Sequence, residues 1–439
     1  MEMFISLVGS RIEEEPNLLF DKADTSAVHP QVYWGLRRFG PYDKSASKLR
    51  LVIIGPRDKA KQIKGLINSL NNGTSIMPGG MQRFFRCTLE IVDEMIVNSM
   101  ETQEYERAGS MFTRRWDPRD VDVVIAYIPK TSRYFSNTPY YRLKAILASE
   151  GFVSQMITHQ TFERLKWAYL NLASAIFSKA GYAPWVLESE MPRTDMILGI
   201  SISNFVSYKH RAGERPRYIG YANIFDSYGK WMFFEGTAKP YTKDQSIEQL
   251  KELIGKAIEK FKAEKGFIPR NIVIHYYKRF GKKEIKATIN ILNELLGEDN
   301  YSIAFVSIDD SHPIKLYDLS TDDGSFPRGY YVYLGENDIL LSTTGFTKIA
   351  SMRMGTPRLL RIRLKQHPNE FLTIDDVALQ VLSLTKLDWA TVAPFVREPV
   401  TLRYAREIAY LTAAISEEEW GRITRPEVNA ILSKRPWFI

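Results

Sequence analysis

The sequence predicts two α/β lobes with largely parallel sheets, and three observations point there. From about residue 48 onward, apolar runs of strand length alternate with helix-period segments. After Trp185 three strand-length runs follow one another before the alternation resumes. The chain's 439 residues, 44% hydrophobic and 25% charged, suit two or three domains at roughly 100–200 residues each and can fill their cores.

Residues 1–40, with Pro16, Pro30 and then Gly40-Pro41, show no domain pattern of their own and are expected to pack on the lobes. The first lobe, 41–184, reads as a small doubly wound unit. Leu49–Gly55 is a buried strand, Lys59–Leu70 a basic amphipathic helix, Asp122–Ile128 a second buried strand and Thr138–Ser149 a helix. A short strand at Ser154–Ile157 precedes one long helix, Thr161–Lys179, which Ala180-Gly181 and Pro184 bring to a stop. Asn71–Gly80 reads as a loop. In the second lobe, 185–439, Met196–Ser203, Tyr218–Phe225 and Trp231–Glu235 are consecutive strands, with Asp226–Gly229 as a hairpin turn between the last two. Ser246 and Gln249 form a capping box that opens a helix whose apolar stripe runs through Leu250, Leu253, Ile254, Ile258 and Phe261. Strand Asn271–Tyr276, helix Glu284–Leu296 and strand Ser302–Ile308 follow. Three meandering strands followed by alternating helices and strands is the order of a ribonuclease H-like fold.

Composition excludes several classes. No uncharged apolar run approaches the 18 or so residues of a membrane span, and the opening Met1-Glu-Met-Phe-Ile is too short and acidic for a signal peptide, so a soluble cytoplasmic protein is expected. One cysteine, Cys87, cannot form an internal disulfide, and six histidines without an HxxxH or CxxC pair make no zinc module. Neither a GxxxxGK[ST] loop nor a GxSxG elbow occurs. The net charge of +8 permits a polyanionic partner without requiring one.

Two constellations carry chemistry. From Ile339 to Asn369 there is no Asp or Glu, while Lys348, Arg353, Arg358, Arg361, Arg363 and Lys365 are basic. In a strand, Arg361, Arg363 and Lys365 share one face at roughly 6.6 Å spacing, opposite Leu360, Ile362 and Leu364. Such a row can follow a phosphodiester backbone, or it can be an ordinary solvated sheet face. The second constellation is Tyr140 and Lys144, one helical turn apart, with Gln155 and Lys179. Taken singly, each has a bland role: Tyr140 packs, and Lys179 complements a helix C-terminus. Asp309, Asp310 and His312 are metal-capable types in a turn-like setting, and Asp375-Asp376 suits a helix start.

Several segments together resemble one family. Tyr140-Tyr-Arg-Leu-Lys144 with Gln155, Ser178-Lys179-Ala-Gly181, Pro184-Trp185, Leu198-Gly199-Ile-Ser-Ile-Ser203 and Gly355-Thr356-Pro357 before the basic strand are similar to prokaryotic Argonautes. Leu384-Thr-Lys-Leu-Asp-Trp389, Pro399-Val-Thr-Leu-Arg-Tyr404-Ala405 and Pro436-Trp-Phe-Ile439 complete the set, in order along nearly the whole chain. The likeness is to the short type, which keeps a Rossmann-like MID domain and a ribonuclease H-like PIWI domain without N and PAZ domains.

The resemblance assigns roles. Tyr140, Lys144, Gln155 and Lys179 would hold the 5′-phosphate of a guide strand, Tyr140 stacking on its first base. A Mg²⁺ ion would bridge that phosphate to Gln155 and the Ile439 carboxylate. Arg358, Arg361, Arg363 and Lys365 would lie where the guide or target backbone passes. Active members hold two Mg²⁺ ions on a carboxylate tetrad. The matching positions here are Ser201, Tyr277-Lys278 and Arg406, so the resemblance implies no target cleavage. What it implies instead is guide-directed recognition: an RNA (or DNA) guide, a single-stranded DNA target, a heterodimeric partner with a PAZ-like analogue domain, and a separate effector in prokaryotic immunity. Two alternatives stay open at this stage: a guided nuclease using Asp309, Asp310 and His312, and a binder of unguided single strands.

Overall fold

The computed structural model describes residues 8–130, 137–205, 217–322, 324–345, 347, 357–412 and 415–439. Lys348, Arg353 and Gly355-Thr356 lie outside the described residues.

In the first lobe four parallel strands stand in the spatial order Thr88–Ile96, Lys48–Gly55, Val123–Tyr127, Ser154–Ile157. The buried runs Leu51–Ile54 and Val123–Tyr127 form its centre, as continuous apolar strands covered on both faces require. Helices Arg57–Asn72, Thr102–Arg115, Pro139–Ser149 and Leu165–Lys179 cover the sheet. Two of these elements depart from expectation. Strand Thr88–Ile96 was not anticipated, because it is an edge strand whose side chains are mostly half-buried or exposed and therefore lack an apolar run. The predicted helix Thr161–Lys179 is two helices, His159–Glu163 and Leu165–Lys179, broken where Arg164 leaves helical geometry at φ −115°, ψ 27°.

The second lobe is a nine-stranded sheet among the described residues. At its heart Met196–Phe205 pairs antiparallel with Arg217–Asp226, which pairs antiparallel with Trp231–Gly236, while Asn271–Tyr276 lies parallel to Met196–Phe205 and to Ser302–Asp309. This is the ribonuclease H-like arrangement. The cap of helix Ser246–Lys265 falls four residues earlier than predicted. A short 3₁₀ turn, Lys243–Gln245, precedes the helix, and Thr242 and Gln245 form the box. Helix Val400–Thr412 lies directly on strand Met196–Phe205, at a spot only glycine permits: a Cβ on Gly199 would stand 2.5 Å from the Thr401 carbonyl oxygen.

The segment before residue 48 touches both lobes, with helix Val32–Phe39 packed on helix Gly80–Phe85 of the first. Gly9–Arg11 extends the edge of the large sheet, and Leu18–Leu19 pairs with Val186–Leu187. Glu15 anchors it, bound to the buried Arg328 at 2.7 Å with Lys386 at 3.4 Å.

Candidate functional site

In an open α/β sheet, ligands bind beyond the carboxyl ends of the strands. Here those ends open into two neighbouring cavities. One, of about 290 Å³, is lined by Ile128 and Lys130 after one strand, Thr158 after the next, Tyr140 and Tyr141, and Glu407 and Tyr410 from the second lobe. The other, of about 440 Å³, shares Thr158 and Gln160 and is lined also by Gln155, Arg164, Asn171 and Ile439.

Of the second constellation, Tyr140 lines the first cavity and Gln155 the second, while Lys144 and Lys179 are buried beside them and line neither. Thr138 caps helix Pro139–Ser149, accepting a hydrogen bond from the Tyr141 amide, and Pro139 preorganises the first turn. Tyr140 and Lys144 then lie one turn apart, with the Lys144 ammonium 5.5 Å from the Tyr140 ring centroid. Arg142 fixes the helix across the lobes through Glu106 at 2.7 Å and Glu419 at 2.8 Å. Lys144 reaches the main-chain oxygens of Phe438 at 3.3 Å and Ile439 at 3.5 Å. Lys179 donates to Ser154 O at 3.0 Å and Gln155 Oε1 at 2.7 Å. The tail is held in place by its aromatic pair: Phe438 packs on Tyr404, Trp231 and Phe234 with ring centroids 5.3–6.3 Å away, and both Trp437 and Phe438 are 1% exposed.

Both lysines are almost fully enclosed, at 2% and 1% exposed. Burial pushes the Lys144 ammonium down to about 8 against a weaker opposing pull from Glu407. Burial, and then the charge of Lys144, hold Lys179 well below the ordinary lysine range. Of the acceptors named above, Phe438 O, Ser154 O and Gln155 Oε1 are neutral, whereas the Ile439 oxygen belongs to a carboxylate, and the Glu407 charge pulls both lysines upward. Sequence reading missed Glu407, along with Asn171 and Arg164. Glu407 is brought in from a helix more than 200 residues away in sequence, and no local pattern marks it.

Across helix Val400–Thr412 lies a third cavity of about 440 Å³, lined by Ser201, Ser203, Tyr277, Asp310, Ser311, Glu398, Arg406 and Tyr410 among others. Ser201 lies two residues beyond Gly199 and so shares its face of the strand. Of the four positions matched to the tetrad, Ser201, Tyr277 and Arg406 therefore meet in one cleft. Lys278 turns away to Glu284 at 3.5 Å. The cleft's carboxylates are matched by arginines. Arg406 binds Glu398 at 2.7 Å and Asp310 at 3.5 Å, and Arg397 binds each at 3.0 Å. Burial raises the Asp310 carboxyl, but Ser311 and the charges of Arg397, Arg406 and Arg358 outweigh it, and the group sits below its ordinary value. Asp309 caps the Ser311 amide at 2.8 Å and His312 faces the Leu359 carbonyl at 3.1 Å. Among the described residues no three His, Cys, Asp or Glu side chains group to hold a metal.

The basic row has an acidic neighbour. Strand Leu360–His367 does place Arg361, Arg363 and Lys365 on the face opposite the buried Leu360, Ile362 and Leu364. Asp338, one residue outside the acid-free stretch, stands on the neighbouring strand and binds Arg361 at 2.7 Å and Arg363 at 3.3 Å. Sequence separation hid a pairing that strand register creates. Arg358 and Lys365 are exposed. No described helix is long and apolar enough to cross a membrane.

Comparison with known proteins is consistent with this geometry. A family profile described as "Piwi domain" matches residues 124–416. The chain is 21% identical to a protein argonaute of Cereibacter sphaeroides, over 98% of this chain and 59% of that protein. It is 26% identical to one of Aquifex aeolicus, over 67% of this chain and 39% of that protein. It thus spans about half the length of the curated relatives it matches. Among solved structures, Clostridium butyricum Argonaute bound to a guide DNA and a 19-mer target DNA superposes with TM-score 0.71 at 18% identity, covering 94% of this chain and 54% of that one. Aquifex aeolicus Argonaute gives 0.62 at 21%, covering 92% and 53%.

Proposed function

We propose, from the premise that this chain belongs to the Piwi-domain family as a prokaryotic Argonaute, that it binds a 5′-phosphorylated guide strand and uses it to recognise complementary single-stranded nucleic acid without cutting it. The observation that carries the reading is the pair of enclosed lysines, 2% and 1% exposed, one reaching the oxygens of Phe438 and Ile439 and the other orienting Gln155. Burying an ammonium is costly, and a phosphate dianion beside Lys144 and Lys179 would lower that cost and favour their charged forms. Tyr140, at the mouth beside Lys144, offers its ring to the first base. Base pairing then reads the target while the protein holds backbone shape.

The donor set also suits a hard cation. Gln155 and Ile439 both line the larger cavity, and oxygen donors such as theirs are what Mg²⁺ takes. When bound there, the ion would neutralise part of the phosphate's charge. The chain's own residues supply the rest: Lys179 orients Gln155, and Lys144 steadies the tail that presents Ile439.

The reading without cleavage rests on the cleft's residue types. A two-metal site needs anionic oxygens converging on the ions. Ser201, Tyr277 and Arg406 supply none, and Asp310 and Glu398 are bound by arginines. A recognition protein of this kind signals through others, which fits an RNA guide, a DNA target, a partner with a PAZ-like analogue domain and a separate effector in prokaryotic defence. Two measurements test the reading on the purified chain. Affinity for 5′-phosphorylated guides should exceed that for 5′-hydroxyl ones by at least about tenfold, and a guide-paired target should stay intact in Mg²⁺ or Mn²⁺. Equal affinities refute the pocket, and a cut product refutes the inactivity.

A further inference from the structure

The phosphate pocket lies at the carboxyl ends of the first lobe's strands. A separate cavity of about 400 Å³ is lined by His29, Trp34, Arg37, Arg38 and Arg83. Arg83 belongs to helix Gly80–Phe85, which leads into the start of strand Thr88–Ile96, so this cavity is at the amino ends of the same parallel sheet. The two sites are therefore at opposite ends of the lobe, and the second cavity is not an extension of the first.

Its walls follow from how helix Val32–Phe39 is seated. Val32, Gly35 and Leu36 are buried, and Gly35 sits so close to Phe20 that a Cβ there would be 2.1 Å from its ring. With that face pressed down, Trp34, Arg37 and Arg38, at i, i+3 and i+4, must point outward. Trp34 is 48% exposed, an unusual setting for the largest apolar side chain. Tyr33 meets its edge at 5.0 Å, and the Arg37 guanidinium lies 5.3 Å from the Trp34 ring centroid. Arg38 and Arg83 are exposed. The cavity's lining includes three guanidiniums and no carboxylate, in contrast to the cleft of the second lobe.

We infer that this cavity binds a nucleotide unit, its base stacked on Trp34 and its phosphate held by Arg37, Arg38 and Arg83. Stacking on an exposed aromatic beside arginines is how proteins hold bases without reading their sequence, and Arg forks match phosphate oxygens. The unit can come from a free nucleotide or from a stretch of single strand, and the chemistry of recognition is the same. The inference does not depend on the guide-anchoring reading, since it uses none of Tyr140, Lys144, Gln155 or Lys179.

The test titrates the full chain with 3′-AMP, with inorganic phosphate and with a 5′-hydroxyl oligothymidylate; neither 3′-AMP nor the oligothymidylate carries the 5′-phosphate of the proposed guide anchor. Trp34→Ala should weaken binding by at least about fivefold, from the worth of one stacked base, whereas Trp34→Phe should retain most of it. The double change Arg37→Ala/Arg38→Ala should weaken binding and flatten its salt dependence. Because these side chains point outward, none of the changes removes core packing, and unaltered affinity for 5′-phosphorylated guides would show that the other pocket is intact. Binding of 3′-AMP lost in Trp34→Ala identifies a free nucleotide as sufficient, while loss confined to the oligothymidylate identifies a strand. Equal binding of both ligands by wild type and Trp34→Ala, or phosphate bound as tightly as 3′-AMP, overturns the inference.

Discussion

Helix Val400–Thr412 separates two cavities of opposite electrostatic character. On its first-lobe side, Lys144 and Lys179 are nearly completely enclosed, with one carboxylate, Glu407, felt by both. On its other side, Asp310 and Glu398 are each bound by Arg397 and Arg406. Glu407 and Arg406 are adjacent in sequence yet line different cavities, and Tyr410 borders both. Beside the first cavity, burial holds both lysines below their ordinary range, and an anion would favour their charged forms. The second is balanced within itself, so it offers a cation little. Placement of charge, more than its amount, distinguishes the two cavities.

The largest expected effect probes the first cavity. Lys144→Met and Lys179→Met keep side-chain volume while removing a buried charge. Binding of 5′-phosphorylated guides should fall on the order of a hundredfold, as when one partner of a buried charged pair is lost. The thermal midpoint of the free chain should rise, because an apolar side chain of that size is cheaper to bury than an ammonium. Lysines with a purely structural role would show lower midpoints and unchanged binding, which calorimetry and anisotropy would reveal together.

The second prediction breaks the balance in the cleft. Arg397→Ala/Arg406→Ala leaves Asp310 and Glu398 facing one another without their cations. The thermal midpoint should drop by several degrees without metal and recover with Mn²⁺, whereas wild type should respond little to the ion. An equal response of both to Mn²⁺ would erase the contrast between the cavities.

A third sharpens the contrast by pH. The folded chain holds Lys144 near about 8, below the 10.5 of an ordinary lysine. Between those values the unfolded chain binds the extra proton, so this group's contribution to the stability of the free chain grows as pH rises from 8 to 10.5. A bound phosphate favours the charged lysine, so guide binding takes up a proton above pH 8 and affinity should fall as pH rises from 8 to 9. For 5′-hydroxyl guides the slope should be shallower. Parallel slopes for the two guides would place the titration elsewhere.

Legibility in the sequence followed the range of the interactions. Strand Asn271–Tyr276 has its predicted bounds, and Thr138, Pro139 and the residues after them announce their helix, because apolar runs and caps are local signals. Edge strand Thr88–Ile96 was silent because exposure dilutes its pattern, and the break at Arg164 depends on backbone angles that no composition marks. The four residues of the phosphate pocket were nameable through family likeness, but their burial and the presence of Glu407 come from tertiary packing. Trp34 was passed over because an exposed tryptophan on an otherwise ordinary helix looks, in sequence, like a core residue.

The smallest effect concerns the basic strand, where the two kinds of region meet in one element. Arg363 lies opposite Asp338 in register and Arg361 is its diagonal neighbour, so one carboxylate holds both guanidiniums. Arg361→Ala/Arg363→Ala should therefore reduce nucleic-acid affinity by less than about threefold, since those side chains are already engaged. Asp338→Asn should have the opposite sign: it releases two cations beside the exposed Lys365, and affinity for unguided single strands should rise with a steeper salt dependence. If the double alanine variant instead loses binding by an order of magnitude while Asp338→Asn changes nothing, the arginines leave Asp338 for the phosphate backbone when a strand arrives, and the row would belong with the phosphate pocket rather than with the balanced cleft.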